Sequence, residues 1–103
     1  MRRIYICAPY AGDVEANKAK ARIYAWHVLL EGMNPFVPHL YYDQFMVEAT
    51  EREKIMELCL DELVRCDEVW QCAEVATNGM QMEIRHAHQW GIPVIEAWRG
   101  FEK

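Results

Sequence analysis

Asp67-Glu-Val-Trp-Gln-Cys72-Ala-Glu-Val-Ala-Thr77-Asn-Gly79-Met80-Gln-Met-Glu83-Ile84-Arg-His-Ala87 is the stretch that decides the fold. Asp67 to Cys72 is a short apolar run behind an acidic start and reads as a buried strand. A helix follows, opening on Thr-Asn-Gly, where Thr77 or Asn78 caps it by accepting a backbone N–H bond. Gly79 lets backbone or ligand approach the first turn. Met80, Ile84 and Ala87 recur at helical spacing and are expected to face the sheet. Glu83 lies near that stripe rather than opposite it. A carboxylate so placed needs a partner or has a chemical role. Ligands of open α/β sheets bind where a strand ends and the next helix begins. Glu83 is therefore the first candidate for a site.

Working outward, residues 3–8 read as a first strand, β-branched and aromatic, ended by Pro9. A turn over 9–13 leads into a helix from about Val14 to Glu31, with Ala19, Ile23, Trp26 and Leu30 as its expected buried stripe. Gly32 stops it. Asn34 to His39 reads as a second strand, short or at an edge because of its prolines. Leu40 to Ala49 reads as a loop. Thr50 and Glu53 form an expected capping box for a helix running to about Cys66, burying Ile55 or Met56, Cys59 and Leu63. After the quoted stretch, Gly91 stops the third helix, residues 92–96 form a fourth strand, and 97–103 a tail with Trp98 and Phe101. Strand and helix alternate without repeat or linker. That pattern predicts a small flavodoxin-like, Rossmann-like α/β three-layer sandwich, with a four-stranded parallel sheet of order 2-1-3-4. One domain over residues 1–103 suits the length.

The hydrophobic fraction of 52% and charged fraction of 26% place the chain among globular proteins. A net charge of −5 argues against a surface for nucleic-acid polymers, which calls for a basic patch. The 4 cysteines, Cys7, Cys59, Cys66 and Cys72, form no C-x-x-C pair. Free thiols, a reducing cytoplasmic setting and no structural metal are expected. His86 and His88 with Cys72 make no zinc spacing. With Met-Arg-Arg followed at once by a strand, no signal peptide is expected, and no stretch reads as a membrane span.

The expected sheet brings Tyr5, Tyr10, His39, Asp43, Thr77 and Glu83 to one crevice at the carboxyl edge. Ala8, Pro9, Gly12, Gly79 and Met80 are expected to line it too. A carboxylate beside a phenol suits chemistry on a sugar, by attack at the anomeric carbon or by stabilising an oxocarbenium-like transition state. Helix-terminal N–H groups and Thr77 could hold a hydroxyl or phosphate.

Several segments, taken in order, carry a resemblance. They are Ile4-Tyr5-Ile-Cys-Ala-Pro-Tyr10, Gly12-Asp-Val-Glu-Ala-Asn17, Pro35-Phe-Val-Pro-His39-Leu, Cys66-Asp67-Glu-Val-Trp and Thr77-Asn-Gly-Met-Gln-Met-Glu83-Ile-Arg-His-Ala. With them the chain resembles, over nearly its whole length, the nucleoside 2-deoxyribosyltransferase superfamily, which includes the deoxynucleoside 5′-monophosphate N-glycosidases. The resemblance implies that Glu83 is a nucleophile toward C1′ and that Tyr5 orients and activates it. It implies that Thr77 sits where relatives bind sugar or phosphate, and that Gly79-Met80 is the glycine-containing start of the same helix. A small-molecule nucleoside or nucleotide would be the partner, with no cofactor. One position departs from the pattern. Relatives carry an acid for the leaving base eight residues before the strand aspartate, where this chain has Cys59. Asp43 is the substitute the loop offers. The departure keeps open a second reading, a non-catalytic nucleotide or nucleoside-sugar binding module. An exposed Trp98 and Phe101 point to a homodimer or higher homo-oligomer.

Overall fold

The computed structural model describes residues 1–101. Strand β1 (Arg3–Cys7) lies at the centre of a four-stranded sheet. It pairs in parallel with β2 (Asn34–Phe36) on one side and β3 (Glu68–Gln71) on the other, and β3 pairs in parallel with β4 (Val94–Ile95). The order β2-β1-β3-β4 is the one expected from the alternation of elements. β2 is an edge strand of three residues, which accommodates Pro35, a residue that cannot donate to a ladder.

The pleat of β1 divides the core. Ile4, Ile6 and Ala8 turn to one face, where they meet Ala21, Tyr24 and Val28 of α1 (Val14–Leu30) together with Trp70 and Cys72. Tyr5 and Cys7 turn to the other, toward α3 (Glu48–Leu63) and α4 (Asn78–Gln89). α3 contributes Ile55, Cys59 and Leu63 to that face, and α4 contributes Met80, Glu83 and Ala87. Helices thus cover both faces, as a parallel sheet requires.

Five local expectations are corrected. The buried stripe of α1 is Ala21, Tyr24 and Val28, whereas Ile23, Trp26 and Leu30 are 52%, 59% and 64% exposed. The helix is apolar on two nearly opposite sides, so spacing alone does not choose between them. The buried side is the one that meets Ile4, Ile6 and Trp70 of the sheet, and Tyr24 on that side also packs on Phe101, with ring centroids 4.0 Å apart. Pro38 and His39 belong to a short helix, α2 (Pro38–Tyr41), and not to the second strand. Proline suits a first helical position as well as a strand edge. A 3₁₀ turn over Tyr42–Gln44 follows where a loop was expected. α3 begins two residues earlier than the predicted Thr50 cap. Val47 is its cap residue, and Glu51 Oε1 accepts the Val47 N–H at 2.8 Å. Finally, the tail folds onto its own chain as a 3₁₀ turn (Ala97–Phe101). Trp98 is buried and Phe101 packs on Tyr24 and His27, which removes the tail as a reason for a homodimer. Among the described residues, no helix is long and apolar enough to cross a membrane.

The two sides of α1 should differ sharply in cost. Val28→Ala is expected to destabilise the fold by about 2 kcal/mol, the cost of a cavity in a closed core. Leu30→Ala should stay within about 0.5 kcal/mol in dilute protein, as an exposed position does. Urea unfolding of the two variants checks the assignment of faces.

Candidate functional site

Glu83 sits in the middle of the inward stripe of α4, between Met80 and Ala87, and is 2% exposed. Two donors on β1 meet its carboxyl. The Tyr5 hydroxyl donates to Oε2, and Cys7 Sγ lies 3.4 Å from Oε1. Tyr5 and Cys7 are two residues apart on one strand, so the pleat points both at the same helix. Burial pushes the Glu83 carboxyl up to about 7, against the pull of these two hydrogen bonds, which favour the carboxylate. Burial and the neighbouring Glu83 hold the Tyr5 phenol well above its ordinary value, so it remains a donor.

Glu83 forms part of the wall of a cavity of about 220 Å³ at the carboxyl edge of the sheet. The start of α4 forms another part. Thr77 Oγ1 accepts the Met80 N–H at 3.2 Å and so caps the helix. The N–H groups of Asn78 and Gly79, in the same wall, precede any intrahelical bond and are free to meet an acceptor. A Cβ on Gly79 would meet only the end of Met56 at 3.5 Å, an ordinary contact. Ala8, Tyr10 and His39 close the far side. His39 Nε2 bonds the Ala8 carbonyl at 3.1 Å, and the Tyr10 ring lies 4.8 Å from its own. Burial lowers the imidazole to about 4, more than the Ala8 bond raises it, so it is neutral at pH 7.

Of the residues predicted for the site, the cavity gathers Ala8, Tyr10, His39, Thr77, Gly79, Met80 and Glu83, with Tyr5 behind Glu83. Three lie elsewhere. Gly12 serves the turn before α1, where its φ of +99° is the requirement it meets. Pro9 lines a different cavity, of about 430 Å³, on the α1 face of the sheet. That cavity is larger, but Glu83 and the start of α4 are not in its walls. Asp43 is outside the cavity as well. It accepts from Tyr10 at 2.6 Å and from Lys18 Nζ at 2.7 Å. These bonds, that from Lys18 foremost, hold its carboxyl below the ordinary range. Asp43 anchors the Tyr10 wall, and its carboxylate has no free proton to offer.

The structure adds residues that the sequence reading passed over. Glu48 and Arg52, from the first turns of α3, line the same cavity, as do Ala11, Ile55, Met56 and Asn78. Cys59 is there too, its thiol pushed up to about 12 by burial first and the nearby Glu83 second. Starting the helix at Thr50 had left Glu48 in a loop. Its spacing of four from Arg52 was the one available signal. Among the described residues, no three His, Cys, Asp or Glu side chains are grouped to hold a metal ion.

A parallel sheet whose carboxyl edge opens on a desolvated glutamate, beside a capped helix start, defines a Rossmann-like α/β protein with a titratable pocket. The chain belongs to the family described as domain of unknown function (DUF7768), which matches residues 2–97. In structure it is similar to a 2-deoxyribosyltransferase from the psychrotolerant bacterium Bacillus psychrosaccharolyticus, with a TM-score of 0.69 and 18% identity. The match covers 89% of this chain and 69% of that one. That enzyme is described as a biocatalyst for nucleoside synthesis. At this identity the likeness establishes a shared fold. No curated protein matches the sequence.

The Glu83 shift has a stability consequence with a definite sign. Its carboxyl titrates near 4.5 when unfolded and near 7 when folded, so the folded state holds the proton more tightly. The contribution is therefore full below pH 4.5 and is lost as pH rises through 7. The loss should be about 3 kcal/mol across that window. Glu83→Gln should remove it, which the difference in urea midpoints between wild type and variant, followed against pH, will show.

Proposed function

We propose that this protein cleaves or transfers an N-glycoside of a small nucleoside or nucleotide. One observation carries the reading. A glutamate is buried against a strand tyrosine, shifted toward neutrality, and faces a cavity at the carboxyl edge of the sheet. The fold shared with a 2-deoxyribosyltransferase supports it. In this reading the Glu83 carboxylate attacks C1′, the base leaves, and a sugar ester forms. Water or a second base then attacks C1′ from the side the base vacated, giving net retention. Tyr5 holds the attacking oxygen in line and favours its ionised form. Thr77 and the N–H groups opening α4 bind a sugar hydroxyl or phosphate. A cavity of about 220 Å³ suits one small molecule rather than a polymer.

A non-catalytic binding module is the second reading. Cys59 favours it, because a thiol pushed up to about 12 is no acid for a leaving base. A reducing cytoplasmic setting suits four free, buried cysteines. The exposed apolar side of α1, with Ile23, Trp26 and Leu30, supports self-association through that helix, and sedimentation should give a higher mass for wild type than for Trp26→Glu.

Pure protein incubated with nucleosides, deoxynucleosides and their monophosphates should release free base, detected by chromatography. Glu83→Ala and Glu83→Gln should release none. Ligand-induced thermal stabilisation without base release would favour the binding module. The rate should fall as pH drops below about 7, because the nucleophile must be ionised. Tyr5→Phe removes a bond that lowers the Glu83 value, so the acid limb should move to higher pH.

A further inference from the structure

Tyr5 secures one oxygen of the Glu83 carboxyl, Oε2. A carboxyl held at one oxygen alone still turns about its last side-chain bond, where the torsional preference is broad. The other oxygen, Oε1, meets the Cys7 thiol at 3.4 Å. That contact spans 76 residues of chain and joins β1 to α4. Two other thiols bond close to home instead. Cys66 donates to the Glu62 carbonyl at 3.6 Å, and Cys72 to the Trp70 carbonyl at 3.3 Å. Of these three, Cys7 alone reaches a side chain on another element.

A thiol has one proton to donate. Cys7 Sγ has two acceptors in reach, Glu83 Oε1 at 3.4 Å and the Met80 carbonyl at 3.8 Å. The Met80 carbonyl keeps a second lone pair beyond the one an intrahelical bond uses. The charge on Glu83 decides between them. An ionised carboxylate is the stronger acceptor as well as the nearer one. When the carboxyl takes a proton, Tyr5 already occupies Oε2, so Oε1 carries it and stops attracting the thiol. The Met80 carbonyl is then the acceptor that remains. The thiol keeps its own proton throughout, since burial first and the Glu83 charge second hold it well above its ordinary value. The other titratable groups on this side do not compete for Oε1. Burial keeps Cys59, from α3, and Cys72, just past β3, protonated. Tyr10 donates to Asp43, His39 is neutral, and Glu48 and Arg52 stand in the cavity wall beside each other.

We propose that Cys7 is a positioning residue for Glu83, its thiol proton pinning Oε1 while the carboxyl is ionised and turning to the Met80 carbonyl when the carboxyl is protonated. With both oxygens held from β1, the plane of the carboxylate is fixed in the charge state that attacks and freed in the one that does not. A thiol suits this task because it is a weak donor. It steers the carboxylate without making it an anion at every pH. The consequence for rate rests on the glycoside reading given above, whereas the movement of the thiol proton does not.

The infrared S–H stretching band reports how strong a bond a thiol donates. Subtracting the spectrum of Cys7→Ala, or of Cys7→Ser, from that of wild type isolates the Cys7 band. It should lie at low frequency in alkaline solution and rise in frequency as pH falls through about 7, where Glu83 takes up its proton. In Glu83→Gln the band should stay still. A wild-type band that does not move with pH overturns the proposal, whatever the protein does to nucleosides. In the base-release assay, Cys7→Ala loses a bond that favours the carboxylate, so the acid limb of kcat/KM should move up by roughly 0.5 in pH, less than for Tyr5→Phe because a thiol is the weaker donor. Cys7→Ser restores a donor and should bring the limb back. A limb that Cys7→Ala leaves in place, or that Cys7→Ser does not bring back, would make Cys7 a packing residue and overturn its positioning role. Wild type that releases no base would overturn the glycoside reading instead, and the infrared band would still decide where the thiol proton goes.

Discussion

A carboxyl group held out of water between α4 and β1 governs the rest of the molecule. Glu83 replaces an apolar residue at the centre of an inward helical stripe, where an ionised group without partners is strongly disfavoured. Tyr5 and Cys7 answer it from a single strand. Their donors are unequal. A phenol gives a firm hydrogen bond and a thiol a weak one, so the carboxyl is supported but not fully compensated. That partial compensation leaves it near neutrality rather than locked as an anion or kept as a plain acid.

The two faces of the sheet accordingly do different work. On the α1 face, Ile4, Ile6, Val28 and Trp70 make an apolar layer with no buried charge. On the other face the same strand carries Tyr5 and Cys7, and the layer that includes Cys59, Met80 and Val69 also holds the buried Glu83. The Cys59 thiol adds softness and size there without a competing charge, because burial keeps it protonated. An acid at that position would place a second carboxyl beside Glu83. In this chain the second carboxyl of the cavity stands further out, on the first turn of α3.

Sequence reading reached some of this and missed the rest for identifiable reasons. Strand order and the Thr77 cap were legible because each rests on local chemistry, an alternation of elements and a hydroxyl three residues before an N–H it can bind. The closeness of Tyr5 to Glu83 was expected from family likeness, and no local pattern would have revealed it. The α1 stripe was misassigned because both candidate sides are apolar, and the choice is made by packing against Ile4, Ile6 and Trp70 of the sheet, which the helix's own spacing does not show. Glu48 was passed over because its place depends on where α3 begins. That start is marked by a bond from the Val47 N–H to the Glu51 carboxylate, not by the Thr50 hydroxyl that a capping box would use. Trp98 illustrates the converse. An apolar tail looks unpartnered in sequence until the 3₁₀ turn lays it against the sheet.

The hydrogen bond between Tyr5 and Glu83 joins residues 78 apart. Lengthening a loop adds little in entropy, since each doubling of length costs about 0.6 kcal/mol, but the contact ties the carboxyl's chemistry to distant parts of the chain. β1 has both its sheet partners only when β3, far along the chain, lies beside it. Until α4 docks on that pair, Glu83 is in water and titrates as any glutamate does. The unusual carboxyl is therefore a property of the assembled sheet and helix together, and a chain in which β1 and α4 are apart has only an ordinary glutamate at this position.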